Sequence, residues 1–140
     1  QEYRMVKMES LLKNNTVADI YRENFTRIYL DSRMIVAEDS LRRGYEKNFL
    51  IFNQEEQLMG VLHELFILEA IKKNDLQGPV AEYLSSNFEP IQKTDTLQMI
   101  LKKMQIHGYS ILPVFEEETL VGVLDVSMMN NFMKLKKKTR

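Results

Sequence analysis

The dipeptide His63-Glu64 is the part of the sequence best suited to metal chemistry, because it matches the first half of the zinc pattern H-E-x-x-H. In that pattern two histidines one helical turn apart hold the metal, and the glutamate acts as a base. Residue 67 is isoleucine, so the second ligand is absent. His107 is the only other histidine, and the chain has no cysteine. We therefore predict no metal site and interpret His63-Glu64 as polar residues that begin a helix.

Ser110 is the second candidate for chemistry, in the sequence Gly108-Tyr109-Ser110-Ile111-Leu112. A nucleophile elbow places its serine between two glycines, so that a strand can turn sharply into a helix. In this chain leucine stands where the closing glycine is required. Because the sequence assembles no nucleophile, base or metal set, we predict no catalytic residues, and any enzymatic activity would belong to a larger parent protein.

The sequence contains an internal repeat. Val17-Ala18-Asp19 returns as Val80-Ala81-Glu82, 63 residues later. Gly60-Val61-Leu62 returns as Gly122-Val123-Leu124 after 62 residues, so the second copy is one residue shorter. A long period that occurs twice predicts two copies of a small unit within one fold.

Composition fits two small units that share one domain. The chain has 140 residues, of which 44% are hydrophobic, whereas half that length would be marginal alone. The absence of cysteine excludes disulfides and agrees with a reducing compartment. No run approaches the ~20 apolar residues that cross a bilayer. The net charge is −1, but the last seven residues carry +5. Such a basic tail can meet anionic lipid or nucleic acid, although a solvated terminus is more typical.

Apolar spacing predicts the elements of the second copy. An apolar residue recurs at positions i, i+3, i+4 and i+7, which indicates an amphipathic helix. Asp95 is the predicted N-cap of this helix and Gly108 its left-handed C-cap. Two apolar runs at residues 110–115 and 120–124, separated by Glu116-Glu117-Glu118-Thr119, indicate a β-hairpin, and a closing helix follows. The helical positions are Leu97, Ile100, Leu101 and Met104.

The first copy has the same order, and residues 1–13 precede it with apolar residues at helical spacing, Met5 among them. We predict an α+β fold in which two β-α-β-β-α repeats are related by a pseudo-twofold axis, with an extra N-terminal helix. The first copy is predicted to have a helix at 34–44, strands at 49–52 and 58–62, and a closing helix at 64–73. The chain divides into a helical linker (1–14), repeat 1 (15–76), repeat 2 (77–135) and a basic tail (136–140).

This ordered set of motifs resembles the tandem cystathionine-β-synthase (CBS) domain pair over roughly residues 15–135. The resemblance rests on the two V-x-[DE]-h openings, the strand Ile111-Leu112-Pro113-Val114, and the L-x-G-V-L turns at residues 58–62 and 120–124. It implies a regulatory module rather than an enzyme. It also implies that the two copies are arranged around a pseudo-twofold axis, with clefts between them that often bind adenine nucleotides.

In nucleotide-binding members of that family, the glycine turn continues as G-h-h-[ST]-x-x-[DN], with the hydroxyl near phosphate and the last residue holding the ribose. In this sequence His63 and Asp125 replace the hydroxyl, and Phe66 and Met128 replace the ribose holder. An unpaired buried polar group costs about 1–3 kcal/mol. We therefore expect no cofactor, and an adenine nucleotide is disfavoured. If a ligand binds, the residues predicted to line its cleft are Lys47, Asn48, His63, Phe66, Tyr109, Ser110, Asp125 and Met128.

The opening Glu2-Tyr3-Arg4-Met5-Val6-Lys7-Met8-Glu9 resembles the segment that follows the last membrane helix of bacterial site-2-type intramembrane zinc metalloproteases. In that family a CBS pair can hang from the membrane domain on the cytoplasmic side and regulate the protease. The resemblance implies a cytoplasmic module tethered to the inner membrane through its parent, with the zinc ligands outside these 140 residues.

The predicted function is therefore a non-catalytic sensing module that controls a larger membrane protein. Two alternatives remain open, an adenine-nucleotide-binding CBS protein and a dimerising interaction module with degenerate clefts. The expected partners are the membrane domain of the same parent chain and a second copy in a homodimer, but no nucleic acid. The homodimer follows because the predicted helices, including Leu97, Ile100 and Leu101, carry more apolar residues than a small sheet can cover.

Overall fold

The structure, a computed structural model, describes residues 2–138, with side chains for residues 7–135. Short 3-10 helices, Val17–Asp19 and Val80–Tyr83, open the two repeats. The predicted α+β class, the β-α-β-β-α order and the N-terminal helix are confirmed. In chain order the elements are α1 (Glu2–Lys13), β1 (Arg27–Tyr29), α2 (Met34–Arg42), β2 (Phe49–Phe52), β3 (Leu58–Leu62), α3 (Glu64–Lys72), β4 (Ile91–Gln92), α4 (Leu97–His107), β5 (Ile111–Glu116), β6 (Thr119–Asp125) and α5 (Val126–Lys138).

The chain divides into two compact units whose boundaries differ from those of the sequence repeats. The continuous unit consists of residues 24–88, and the split unit of residues 1–23 and 89–140. Each contains one three-stranded sheet, β1-β2-β3 in the continuous unit and β4-β5-β6 in the split unit. In both sheets the first two strands are parallel and the last two antiparallel. The division into repeats at 15–76 and 77–135 describes the sequence and stays a prediction.

The two sheets share the same register. Their central residues are Ile51 and Val114, each paired with an isoleucine of the first strand and a glycine of the third. The register shifts directly after the central residue in both sheets. The predicted equivalence of Ile51 with Val114, and of Gly60 with Gly122, is therefore confirmed within the sheets. The residue that the second copy lacks is missing from the hairpin turn that follows the shift.

The opening segment of repeat 1 lies in the split unit, against the sheet of repeat 2. The backbone amide of Val17 donates to the carbonyl of Asp95 over 2.9 Å. Farther along, Arg22 and Val123 exchange two backbone hydrogen bonds, of 3.0 and 2.9 Å. These bonds attach the opening of repeat 1 to the third strand of the other repeat.

The opening segment of repeat 2 is placed in the equivalent way in the continuous unit. The amide of Val80 donates to the carbonyl of Ser32 over 2.9 Å, and Ser85 exchanges two hydrogen bonds of 2.9 Å with Val61. Val80 and Tyr83 from this opening are part of the apolar core between the sheet and its helices. The two repeats have thus exchanged their opening segments.

The glycines of the L-x-G-V-L turns lie where these exchanged segments cross the third strand. A Cβ atom on Gly60 would lie 2.7 Å from the carbonyl oxygen of Ser85. A Cβ atom on Gly122 would overlap the carbonyl oxygen of Arg22 and the ring of Tyr21. Glycine is required at both positions because it lets another backbone approach closely.

Helix α4 has the predicted C-cap but a different N-cap. Gly108 adopts a left-handed conformation with φ of 69°, as expected. The prediction that Asp95 is the N-cap is wrong, because its carboxylate accepts a hydrogen bond from the amide of Gln92 (2.9 Å) and closes the preceding turn. The helix therefore begins one residue later, with the hydroxyl of Thr96 accepting from the amide of Met99 (3.2 Å).

The N-terminal helix α1 packs against α4 in the split unit, with Leu12 buried and Met8 and Leu11 half-buried. The side chain of Met5 and the basic tail predicted at residues 136–140 lie outside the described side chains.

Replacement of Gly122 by alanine should lower the free energy of unfolding by about 1–3 kcal/mol, because the new methyl group meets the backbone of Arg22. Urea unfolding followed by circular dichroism measures this loss. Thr119→Ala, at an exposed position of the same strand, should change stability by no more than about 0.5 kcal/mol. Equal effects of the two variants would contradict the close crossing.

Candidate functional site

The eight residues predicted to line a ligand cleft lie near the starts of two helices, four in each compact unit. Lys47, Asn48, His63 and Phe66 belong to the continuous unit, close to the start of α3. Tyr109, Ser110, Asp125 and Met128 belong to the split unit, close to the start of α5. That these residues form a ligand site stays a prediction.

At the start of α3, the side-chain oxygen of Asn48 accepts a hydrogen bond from the amide of Glu64 (3.0 Å). This bond satisfies one of the free amides of the first helical turn. Burial lowers the pKa of His63 below its usual 6.5, so its imidazole is neutral at neutral pH. The rings of His63 and Phe66 meet edge to face, with 5.4 Å between their centroids. Asn48, His63 and Phe66 are therefore brought together, while Lys47 is exposed.

At the start of α5, Asp125 is the N-cap. The residue is only 6% exposed, and its Oδ1 accepts a hydrogen bond from the amide of Met128 (2.8 Å). The amide of Val126 donates to the carbonyl of Ser110 (3.2 Å), which joins the start of strand β5 to the helix. The sulfur of Met128 accepts a hydrogen bond from Nη1 of Arg22 (3.7 Å). Ser110, Asp125 and Met128 are thus brought together, and the Asp125 carboxylate has a structural role.

Sequence reasoning missed Arg22. It lies in the opening segment of repeat 1, 63 residues before Ser85. The repeat therefore aligns the guanidinium of Arg22 with the hydroxyl of Ser85. Its half-buried guanidinium contacts Met128, the residue that replaces the ribose holder. A guanidinium can bind carboxylate or phosphate in a bidentate manner. The difference between the two copies at this position was visible in the sequence and could have identified it.

Tyr109 belongs to a polar cluster that the sequence did not indicate. Its hydroxyl donates to Oε1 of Glu89 (2.8 Å), and the ammonium of Lys103 donates to Oε2 (2.6 Å). The bonds from Lys103 and then Tyr109 lower the pKa of the Glu89 carboxyl. Burial and the bond to Glu89 raise the pKa of Tyr109. The ring of His107 stacks on Tyr109 at 5.1 Å.

Two surface cavities lie in the continuous unit. The smaller, of ≈ 260 Å³, lies beside α3 and is lined in part by Phe66. In its wall the hydroxyl of Tyr83 donates to Asp75 (2.7 Å), which raises the pKa of Tyr83 to about 12. Phe66 is the only one of the eight predicted residues to line either of these two cavities. The larger, of ≈ 540 Å³, is lined by Leu30, Asp31, Asn53, Gln54, Glu55, Pro79 and Ala81.

Within the described part of the chain, no group of three or more His, Cys, Asp or Glu residues is arranged to hold a metal ion. Likewise, none of the helices seen between residues 2 and 138 combines the length and apolar character that crossing a membrane requires.

Residues 80–131, in the second repeat, match the sequence pattern of the family described as CBS domain. No protein with a curated description matches the chain. Solved CBS structures share its fold. The CBS domain of a bacterial CNNM/CorC family Mg2+ transporter, in complex with ATP, is 16% identical, and the alignment covers 96% of this chain and 97% of that one with a TM-score of 0.78.

The CBS domain pair of protein MJ0100, in complex with 5'-methylthioadenosine and S-adenosyl-L-methionine, is 17% identical, with a TM-score of 0.76 over 87% of this chain and 98% of that one. Protein MJ1004 of M. jannaschii is 20% identical, with a TM-score of 0.69 over 89% of this chain. The chain spans 59% of the length of that protein. Residues 80–131 thus match the CBS domain pattern, and the chain has the fold of the solved CBS domain pairs.

Asp125→Ala should lower the free energy of unfolding by about 1 kcal/mol, because the N-cap bond to the amide of Met128 is lost. Asp125→Asn should cost much less, since asparagine caps helices equally well. Urea unfolding of the three proteins measures both changes. If asparagine is as damaging as alanine, the charge of Asp125 matters and the capping role is wrong.

The stability of the split unit should fall in acid because of Glu89. The pKa of Glu89 in the folded chain lies below the usual 4.5, so its stabilising contribution is complete above about pH 4.5 and is lost as the pH falls through the folded value. Glu89→Gln should unfold with a weaker acid dependence than the natural protein. Glu118→Gln, at an exposed position, is the control and should retain it. Thermal unfolding between pH 3 and 6 distinguishes them.

Proposed function

We propose that this chain is a non-catalytic regulatory module that senses a ligand or a partner and controls a larger protein. CBS domain pairs are generally regulatory and non-catalytic, and the chain has their fold. The fold carries this proposal, and the structural use of Asp125 argues against an adenine nucleotide as the ligand. This buried carboxylate stands where a nucleotide-binding repeat presents a hydroxyl to phosphate, and it caps α5 instead.

Charge at the start of α5 disfavours a polyphosphate. Two like charges about 4 Å apart repel by about 4 kcal/mol at an effective dielectric constant near 20. Attraction to the positive end of the helix dipole would stabilise the phosphate by only about 0.3–1 kcal/mol. The guanidinium of Arg22 offsets part of the repulsion from Asp125, so we expect weak binding of adenine nucleotides rather than a complete absence.

The ribose is disfavoured independently of charge. Phe66 packs against the core of the continuous unit, and Met128 offers a thioether that already accepts a hydrogen bond from Arg22. Neither side chain can hold a ribose hydroxyl in the way that a carboxylate or amide does. Each hydroxyl left unpaired in a buried site would cost about 1–3 kcal/mol.

Adenine-nucleotide binding is the second candidate, because two of the similar structures contain adenosine compounds: ATP in the CNNM/CorC protein, and 5'-methylthioadenosine with S-adenosyl-L-methionine in MJ0100. Those proteins are only 16% and 17% identical to this chain. A third candidate is an interaction module whose clefts no longer bind a ligand.

The proposed parent is a site-2-type intramembrane zinc metalloprotease. Its support is the sequence of residues 2–9, which begins α1 within the split unit. In this proposal the module lies on the cytoplasmic side of the inner membrane and contacts the membrane domain of the same chain. The reading frame upstream of Gln1 should encode membrane-spanning segments and a complete H-E-x-x-H. A frame without them would refute the proposed parent and leave the regulatory proposal intact.

Calorimetry should give dissociation constants weaker than about 1 mM for AMP, ADP and ATP, which corresponds to less than about 4 kcal/mol of binding free energy. The double variant Asp125→Ser, Met128→Asp keeps a helix cap and supplies the missing hydroxyl and ribose holder, so it should bind at least about tenfold more tightly.

Asn130→Asp adds the same charge as Met128→Asp at an exposed position of α5 and serves as the matched control. It should bind as weakly as the natural protein. A micromolar affinity of the natural protein that disappears in Asp125→Ala would overturn this expectation and favour the nucleotide-binding candidate.

A further inference from the structure

The larger surface cavity of the continuous unit lies beyond the carboxyl ends of two parallel strands. Leu30 and Asp31 directly follow β1, and residues 53–55 directly follow β2, where the hairpin turn begins. We call this space, of ≈ 540 Å³, the strand-end cavity. Crevices beyond the carboxyl ends of parallel strands are common ligand sites in open α/β sheets. The volume also falls within the range of about 300–1,000 Å³ that is typical of small-molecule sites.

The exchanged opening segment of repeat 2 supplies the third wall of the strand-end cavity, through Pro79 and Ala81. The amide of Val80, between them, donates to the carbonyl of Ser32 (2.9 Å). Pro79 also pairs with Arg33 in an isolated antiparallel β-bridge. The segment is therefore fixed beside the loop that follows β1.

Hydrogen bonds hold the hairpin wall in place. The side-chain oxygen of Asn53 accepts from the amides of Glu55 (3.0 Å) and Gln57 (2.9 Å). Nε2 of Gln54 donates to Oδ2 of Asp31 (2.6 Å), which joins this wall to the one that follows β1. Because the walls are formed without a ligand, binding would require little further ordering of the chain.

The lining combines apolar surface with two carboxylates. Leu30, Pro79 and Ala81 are apolar, and Leu30 also packs against the core of the unit. Asp31 and Glu55 are the only ionisable residues of the lining. Among the described side chains, no salt bridge involves either carboxylate. A carboxylate can accept several hydrogen bonds, so Asp31 can accept from a ligand as well as from Gln54.

The split unit has an ion pair at the equivalent place. Lys93 and Glu116 lie 63 residues after Leu30 and Asn53, and the Lys93 ammonium is 3.8 Å from the Glu116 carboxylate. The split unit therefore supplies its own cation there. In the continuous unit a leucine and an amide replace that pair, so the cation that would balance the carboxylates of the strand-end cavity has to come from outside the unit.

We propose that the strand-end cavity binds a small molecule that joins an ammonium group to an apolar body. The apolar body would contact Leu30, Pro79 and Ala81, and the ammonium would lie near the carboxylates of Asp31 and Glu55. The same carboxylates repel phosphate, so this cavity selects a different class of ligand from the clefts at the helix starts. The proposal goes beyond the regulatory function and does not depend on adenine-nucleotide binding.

Calorimetric titration with 2-phenylethylamine tests the class of ligand. This compound carries an ammonium at neutral pH, as a lysine side chain does, and its aromatic ring is the apolar body. We expect a dissociation constant of about 1 mM. The uncharged 2-phenylethanol should bind at least about fivefold more weakly, and the anionic 3-phenylpropionate should not bind measurably. Equal affinity for the alcohol and the amine, or no saturation by the amine at about 10 mM, would overturn the proposal.

Backbone amide NMR signals show where the amine binds. The titration should move the signals of residues 30–31, 53–55 and 81, and should leave the signals at the starts of α3 and α5 unchanged. If signals move only at those helix starts, the amine occupies a cleft of the kind predicted for nucleotides. That result would contradict the proposal for the strand-end cavity and leave the regulatory proposal intact.

Removal of the two carboxylates tests their role. Asp31→Asn combined with Glu55→Gln keeps the size of both side chains, so the amine should bind at least about fivefold more weakly and the alcohol should be unaffected. Asp39→Asn combined with Glu118→Gln removes the same net charge from two exposed positions outside the lining and should leave both affinities unchanged. An equal loss in the two double variants would show that only net charge matters, and the proposed site would be wrong.

Filling the cavity tests its use without a change of charge. Ala81 is exposed and lines the cavity, so Ala81→Leu should fold normally and occupy the space of the apolar body. The affinity for the amine should fall at least about tenfold. Ala18→Leu makes the same change at the equivalent exposed position, 63 residues earlier, and should have no effect. If Ala81→Leu is folded by circular dichroism and still binds the amine normally, the strand-end cavity is not the site.

Discussion

The crossing of each opening segment over a third strand is the contact on which the rest of the fold depends. It requires Gly60 and Gly122, because any side chain there would meet the crossing backbone. The exchanged segments also position the starts of helices α2 and α4. The amide of Met34, at the start of α2, donates to the carbonyl of Gly78 (2.8 Å), and that of Leu97, at the start of α4, donates to Asn15 (3.0 Å). Each unit thus obtains its helix starts and part of its core from the other repeat.

The same polar groups that end strands and begin helices were the candidates for ligand binding. A helix start has free amides, which either bind an anion or are satisfied by a cap. In this chain Asn48 and Asp125 satisfy them from within. At each of these two helix starts, at least one backbone amide is therefore already paired and is not free to bind an anion.

The strands and helices could be predicted well because their sequence signals are local. Apolar spacing located β2 and β3 to the residue, and Gly108 ended α4 as expected. Asp95 was misassigned because Thr96, the next residue, caps helices equally well. The exchange of opening segments could not be predicted, since a repeat shows that two segments are alike but not which sheet each joins.

The candidate site was predicted less well, for a related reason. The sequence predicted that Ser110, Asp125 and Met128 line a ligand cleft, and the structure places all three near the start of α5. The sequence could not show whether the carboxylate of Asp125 faces a ligand or the amide of its own helix, because both roles use the same residue at the same position. The contact between Met128 and Arg22 joins residues that are 106 positions apart, so no local sequence pattern indicates it.

The exchange of opening segments affects the order in which interacting segments of the chain emerge from the ribosome. Residues 24–88 are contiguous, so the continuous unit has all its strands, helices and borrowed opening once Phe88 has left the exit tunnel. Residues 1–23 emerge before the continuous unit, whereas the sheet that they join is synthesised after it, from residue 89 onward. During translation α1 and the first opening segment therefore have no sheet to pack against until the rest of the split unit is made, while the middle of the chain is already able to fold.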